Sequence, residues 1–298
     1  MKFNKKLFIS IFSFQFLLIS CSVFDRPEVI PAFIKVEQFN LTTLSTHGTD
    51  SKRITDCWVY LNDNLVGVYE LPALVPVHAI GNNNIKIKAG IMKNGAAGDR
   101  TPYPFYTFFD STMDLVSDSV YLINPDITYE TGYTPWIEDF EDPGIKFNAY
   151  QSDTVMYLGT AANTTDLFEG NCGVIKMSAN NTVCEMRTND PFFNNMPRNI
   201  DIPAYLELNF KCNYTFQVGI LSKDNSLSSY VRTPIITFNP TTDANGVMQW
   251  RKTYIYLTDG TTFYPSATEF ELFIRVFNNT GTDGIEVYVD NLKAFYRQ

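Results

Sequence analysis

From residue 32 onward the apolar residues of this chain alternate with polar ones instead of recurring with a helical period. Phe270-Glu271-Leu272-Phe273-Ile274-Arg275-Val276 is the clearest run, with Phe270, Leu272, Ile274 and Val276 on one side. Successive side chains of a strand point to opposite faces, so such a run buries one face and frees the other. Beyond the first twenty residues no convincing stretch places apolar side chains at i, i+3, i+4 and i+7, the stripe that an amphipathic helix needs. With 17 Tyr and 24 Phe but only 18% charged residues, the composition also favours strands and turns over helices. An all-β fold is the expectation.

The first residues bear on location. Lys2, Lys5 and Lys6 precede an apolar run from Leu7 to Ile19, and Leu18-Ile19-Ser20-Cys21 ends it. This is the layout of an export signal, with an apolar run shorter than the roughly 20 residues a spanning helix takes. The last four residues resemble a bacterial lipobox. The resemblance implies cleavage before Cys21, acylation of its thiol and new amine, and anchoring by several acyl chains. Ser22 in place of an aspartate implies the outer membrane. Bacteroidota-type surface lipoproteins often carry an acidic run here; Asp25 and Glu28 alone stand in for it. The periplasmic and cell-surface faces both stay open, with the surface favoured.

Removing the signal's three lysines from the chain's 23 basic residues leaves 20 against 32 acidic ones. That balance argues against nucleic acid, which rewards clustered Lys and Arg. Beyond Cys21 the cysteines are Cys57, Cys172, Cys184 and Cys212, which allow three pairings. Export permits disulfides, and Cys172 and Cys184 are placed to face each other across a hairpin. His47 and His78 are too few for a His-rich metal site.

The expected organisation is a signal at 1–20, a tether at 21–31, a small β-sandwich at 32–124, a linker at 125–135 and a larger sandwich at 136–298. In the first block Val59-Tyr60-Leu61, the turn Asn62 to Asn64, Val66-Gly67, Pro72, a turn from Gly81 to Asn84 and the strand Ile85 to Lys88 resemble the PEGA-type small sandwich. In the second, Ile137-Glu138-Asp139-Phe140-Glu141, Val174 to Met177, the Trp250-led strand and the closing Ile285 to Lys293 resemble carbohydrate-binding-module-like jelly rolls. The first likeness implies an Ig/PEGA-like sandwich and the second a jelly roll. Tyr129 and Tyr133 in so short a linker imply that the two domains touch.

Candidate chemistry is sparse. No G-x-S-x-G, H-E-x-x-H or P-loop occurs, so no enzymatic activity is expected. Glu138, Asp139, Glu141 and Asp142 are the one dense acidic group, and only alternate members can converge. No cofactor is expected beyond a structural calcium ion. Related jelly rolls often hold one near the chain ends, which makes Glu138, Glu141 and Asp290 its candidate ligands. Exposed aromatic platforms for sugar would come from Trp136, Tyr157, Phe192, Phe193, Tyr230 and Tyr264. The segment Tyr103-Pro104-Phe105-Tyr106, with Phe108, Phe109 and Arg100, is too aromatic to be wholly solvated. It either packs inside the molecule or docks a partner. Two functions remain in view. One is a lipid-anchored interaction subunit for an outer-membrane protein partner. The other is a glycan-binding accessory lipoprotein of a polysaccharide-uptake system.

Overall fold

The computed structural model describes residues 30–297 apart from 225, 227 and 228. The lipobox and Cys21 lie outside the described residues. Among those described, no helix is long and apolar enough to cross a membrane. The fold is all-β, and the described residues include two short α-helices, Pro191–Asn194 and Thr258–Phe263.

Two sheets close over the first core. Ala73–Val77, Ala32–Val36 and Val120–Leu122 form one. Asn64–Glu70, Asp56–Leu61 and Gly81–Met92 form the other, with Arg100–Pro102 and Phe109–Leu115 both added along Gly81–Met92. Ile34, Val36, Val59, Val75, Ile85 and Ile87 meet between them. Asn62 and Asp63 make the two-residue hairpin at positive φ, 49° and 64°, that a right-twisted strand pair prefers. The expected turn at Gly81 to Asn84 is instead the start of the long strand. Phe109–Leu115 supplies its backbone partners, and the Asn84 amide donates to Asp110 Oδ1 at 2.6 Å.

The second core lies in a jelly-roll sandwich. Its first sheet, here the interface sheet, runs Tyr157–Gly159, Cys172–Met177, Ile285–Tyr296, Ala204–Cys212, Arg251–Tyr256, and Trp136–Glu138 also pairs with Ile285–Tyr296. Its second, the outer sheet, runs Phe147–Ala149, Val183–Thr188, Glu269–Phe277, Phe216–Lys223, Val231–Phe238. Leu206, Leu208, Val287 and Val289 from the first meet Met186, Val218, Leu272 and Ile274 from the second.

All nine residues of Ala204–Cys212 are buried. A strand is buried on both sides only when something covers its second face. Here the first sandwich does so. Tyr205, Tyr254 and Phe295, from the back of the interface sheet, join the core of the first sandwich. Tyr103 lies edge-on to Tyr106 and Tyr205, with centroids 4.7 and 5.3 Å away. Phe105 stacks on Phe295 at 5.2 Å. The linker is sewn in: Asp126–Ile127 pairs with Asn40–Leu41, and Tyr129 stacks on Phe295 at 4.9 Å.

A polar group is sealed inside this contact. Glu207, fully buried, accepts hydrogen bonds from the hydroxyls of Tyr103 at 3.0 Å and Tyr129 at 2.9 Å. Its other oxygen lies 2.8 Å from Lys252 Nζ. Lys293, also fully buried, donates to the Thr49 carbonyl. Burial pushes Glu207 upward, but Lys252 and Lys293 outweigh it and hold the carboxyl below its ordinary range. Lys293 goes the other way: burial lowers it to about 8 despite Glu207.

The aromatic segment is therefore not a free docking loop. Tyr103, Phe105 and Tyr106 are buried between the sandwiches, and Phe109 is half-buried at a strand start. Phe108 alone is well exposed, under Lys88 Nζ at 4.5 Å. Arg100 is engaged too, 2.8 Å from the buried Asp56 and 3.4 Å from Glu70. The Cys172–Cys184 disulfide is also corrected. The two residues lie on different sheets of the sandwich, so no hairpin brings them face to face. Cys57, Cys172, Cys184 and Cys212 are free and buried. Burial pushes Cys57, Cys172 and Cys184 up to about 12 and Cys212 to about 11, so all are inert thiols.

Candidate functional site

The outward face of the outer sheet carries an unusual set of side chains. Strand pairing places Glu185 beside Arg275, Arg187 beside Phe273, and Leu221 between Glu271 and Arg232. At Gly219 a Cβ would meet the Thr233 carbonyl at 2.3 Å and the Phe273 ring at 2.8 Å. Glycine therefore lets Phe273 lie flat on the sheet as a floor. Three arginines stand around it, and the Arg232 guanidinium lies 5.9 Å from the centre of the Phe273 ring. Arg187 Nε donates to Glu185 Oε1 at 2.6 Å, while Arg232 Nη2 and Arg275 Nε lie 2.6 and 3.4 Å from Oε2. Burial pushes Glu185 up, but Arg232 and Arg187 overcome it and hold the carboxyl below its usual range.

A groove of about 500 Å³ opens beside this group. Asn148, Tyr150, Arg187, Asn189, Tyr230 and Glu271 are among its lining residues. The Arg187 guanidinium lies 3.4 Å from the centre of the Tyr150 ring, a cation–π stack that leaves Tyr150 40% exposed. Tyr230 donates to Glu269 Oε2 at 3.0 Å, and burial pushes the Glu271 carboxyl upward. Amides, hydroxyls, cations and a carboxylate thus surround an accessible ring. Such a surface can hydrogen-bond hydroxyls while the ring receives an apolar face.

A second cavity, of about 470 Å³, lies where the first sandwich meets the interface sheet. Asp50, Asp139, Glu141, Glu169, Asp290 and Asn291 line it. Adjacent strand residues should diverge, yet Asp290 and Asn291 share this wall. A bulge opposite Glu207 and Asn209, with Asn291 at φ 51°, re-aims them. The three expected calcium ligands do not meet here. Both Glu138 oxygens accept backbone N–H groups, from Phe140 at 3.0 Å and Lys146 at 2.5 Å, so its carboxylate is already used. Glu141 holds Asn171 through both oxygens. Among the described residues no three His, Cys, Asp or Glu side chains converge on a metal-holding point.

Asp290 makes the cavity pH-sensitive. Burial, then Glu169 and Glu141, raise its carboxyl to about 8, against the two backbone N–H groups that it accepts. The folded state keeps a proton that the unfolded chain releases near pH 3.8. The resulting stability is complete below that pH and is lost as pH rises through about 8. Asp290→Asn, which stays neutral, is expected to match the parent at pH 4 and to melt about 5 °C higher at pH 8.5. Thermal melts at both pH values, with and without calcium, test this. Equal melting at pH 8.5, or a calcium-dependent rise lost in the variant, defeats it.

The candidate sugar platforms scatter. Trp136 and Phe193 belong to the core, their rings 5.2 Å apart. Phe192 is half-buried against Tyr296, and Tyr157 packs beside Cys172 and Tyr288 at the other sheet. Tyr264 donates to Asp224 Oδ2 at 3.1 Å. Tyr230 lines the groove. The sequence-based set missed Tyr150, Arg187 and Glu271. Arg187 and Glu271 sit at outward positions of strands whose other faces are core, and that signal was available.

No family model matches the chain, and no curated protein does. Solved structures of β-sandwich modules are similar in outline. Particular ones are the K1 cleaved adhesin domain of Lys-gingipain from Porphyromonas gingivalis W83 and the family 11 carbohydrate-binding module of Clostridium thermocellum, the latter in complex with a mixed-linked tetrasaccharide. The adhesin domain is 14% identical, with TM-score 0.38, over 54% of this chain and 97% of its own. The module is 13% identical, with TM-score 0.34, over 54% and 94%. A carbohydrate-binding module of the β-sandwich superfamily is 13% identical, with TM-score 0.39, over 91% of this chain and 100% of its own. At these scores the likeness says nothing of ligand or activity.

Proposed function

We propose that the protein is a non-catalytic glycan-binding lipoprotein that holds saccharide in the groove of the outer sheet. The observation that supports this is the convergence of Asn148, Asn189, Arg187, Tyr230 and Glu271 around the exposed ring of Tyr150. In this reading acyl chains at Cys21 keep the groove beside the outer membrane, facing outward, as part of a polysaccharide-uptake system. The state of two carboxylates supports binding over turnover. Glu138 is held by backbone N–H groups, and Glu185 is neutralised by arginines.

The test is a glycan array followed by calorimetry. The parent chain is expected to bind at least one glycan saturably. Tyr150→Ala removes the ring that Arg187 stacks on, and at least a tenfold loss is expected, which corresponds to about 1.4 kcal/mol. Binding by no glycan, or full affinity in Tyr150→Ala, overturns the proposal. Phe193→Ala is unsuitable as a probe, because Phe193 is fully buried in the core.

A second reading, the interaction subunit of an outer-membrane complex, draws on another surface. On the outside of the three-stranded sheet Leu74 and Leu122 flank Lys35, and Pro76 and Val120 flank Phe33. Leu74, Val120 and Leu122 are 54, 59 and 60% exposed. Clustered apolar surface of this kind marks contact sites. Leu122→Glu is expected to release an outer-membrane protein that co-purifies with the parent in mild detergent. A companion retained by the variant, or none with the parent, sinks this reading.

A further inference from the structure

Arg187, Arg232 and Arg275 carry more positive charge than the one carboxylate they share can neutralise. Arg187, Arg232 and Arg275 share Glu185, whose side chain is 3% exposed. The other nearby acids are engaged elsewhere: Glu269 takes the Tyr230 hydroxyl and lies 3.7 Å from Lys223, and Glu271, two strands from Arg232 in the same row, faces Arg187. The Nε of Arg232 is shielded from solvent and forms no hydrogen bond, and that of Arg275, shielded too, has only the ion-pair contact with Glu185 Oε2 at 3.4 Å. Unsatisfied buried donors of this kind are uncommon and costly. Arg275 is drawn below its ordinary range, first by burial and then by Arg232, with Arg187 adding to it against Glu185. All this sits in a chain with an excess of acidic residues, 32 against 23 basic. Guanidinium forks match carboxylate and sulfate oxygens in pairs, which lysine cannot do.

We propose that this face is a subsite for the anionic group of an acidic saccharide, a uronate carboxylate or a sulfate ester, gripped by Arg232 and Arg275 while the sugar ring occupies the adjoining groove. The inference rests on the glycan-binding reading and names the class of glycan. An arriving anion gives the two guanidiniums the partner that Glu185 alone cannot supply. Glu185 keeps Arg187 in place over Tyr150.

The experiment uses the full chain in mild detergent at 150 mM salt, with two pairs of probes. Polygalacturonate is compared with its carboxyl-reduced form, and dextran sulfate with dextran. At least tenfold tighter binding is expected for one acidic member over its neutral partner, and which pair shows it identifies the group. Arg232→Gln with Arg275→Gln is expected to abolish that preference. Arg275→Lys keeps the charge and loses the fork, so it tests the site without stranding Glu185; a partial loss is expected. Equal binding of acidic and neutral probes by the parent, or an acidic preference that survives both arginine changes, overturns the inference and leaves the groove standing. Failure of the parent to bind any of the four probes overturns the inference. If no glycan on the array binds either, the groove reading falls with it.

Discussion

Glu207→Ala is expected to cost about 3–5 kcal/mol of folding stability, among the largest effects of any single change here. Glu207 is the carboxylate that faces Lys252 and Lys293 inside the contact between the sandwiches, and all three are buried. Removing it leaves two ammonium groups without their anion and strips an acceptor from the hydroxyls of Tyr103 and Tyr129. The loss has a defined pH dependence. In the parent, burial already holds Lys293 near 8, below its unfolded value of 10.5. Its folded form sheds a proton that the unfolded chain keeps, so stability rises as pH goes from about 8 to 10.5. Without Glu207 the Lys293 ammonium is pushed lower still, and the rise begins at a lower pH. Chemical denaturation of the variant at pH 7 and pH 9.5 reads both effects. Glu207→Gln separates them, because the amide keeps an acceptor for the tyrosines and removes only the charge. A cost under 1 kcal/mol at pH 7, or no recovery at pH 9.5, rules out a sealed charge cluster.

How far the chain could be read in advance follows from which contacts are local. Alternation is local, and it located the strand that runs Glu269–Phe277 within a residue. Ala204–Cys212 alternates as well, but there the pattern misleads about the second face. Glu207, Asn209 and Lys211 alternate with Leu206, Leu208 and Phe210 as solvent-facing residues would, and the first sandwich covers them. Nothing near them in the chain says so. The cysteines failed for the same reason. The short segment between Met177 and Val183 looks like a hairpin turn, yet it crosses between sheets, and Cys172 and Cys184 part company. Turn formers misled at Gly81 to Asn84, where pairing with Phe109–Leu115 outweighs their local preference. The groove was harder still. Arg187, Arg232 and Arg275 come from three strands far apart in sequence, and only cross-strand register gathers them on Glu185. Tyr230 was legible as a ring in a polar setting. Tyr150 was not, because its value comes from the guanidinium stacked on it.

Tyr103→Ala decides what the aromatic segment does. Tyr103 is fully buried, with the rings of Phe105, Tyr106, Tyr205 and Tyr254 around it and its hydroxyl on Glu207. Truncating a buried aromatic costs about 3–5 kcal/mol through lost contacts and the cavity left behind. Tyr103→Phe loses only the hydrogen bond to a charged acceptor, about 2 kcal/mol. The two changes differ in where the loss falls. The ring belongs to both sandwiches, since Tyr205 and Tyr254 come from the second, so the parent should unfold in one transition. Without the ring the sandwiches retain their own cores, Ile34 to Ile87 in one and Leu206 to Val289 in the other. Two calorimetric transitions are therefore expected, with protease cutting between residues 125 and 135 at temperatures between them. Tyr103→Phe should melt earlier but once. A docking loop predicts the opposite pattern, with stability untouched in Tyr103→Ala and only the capture of a partner lost. A single transition at the parent's temperature would return the segment to the surface.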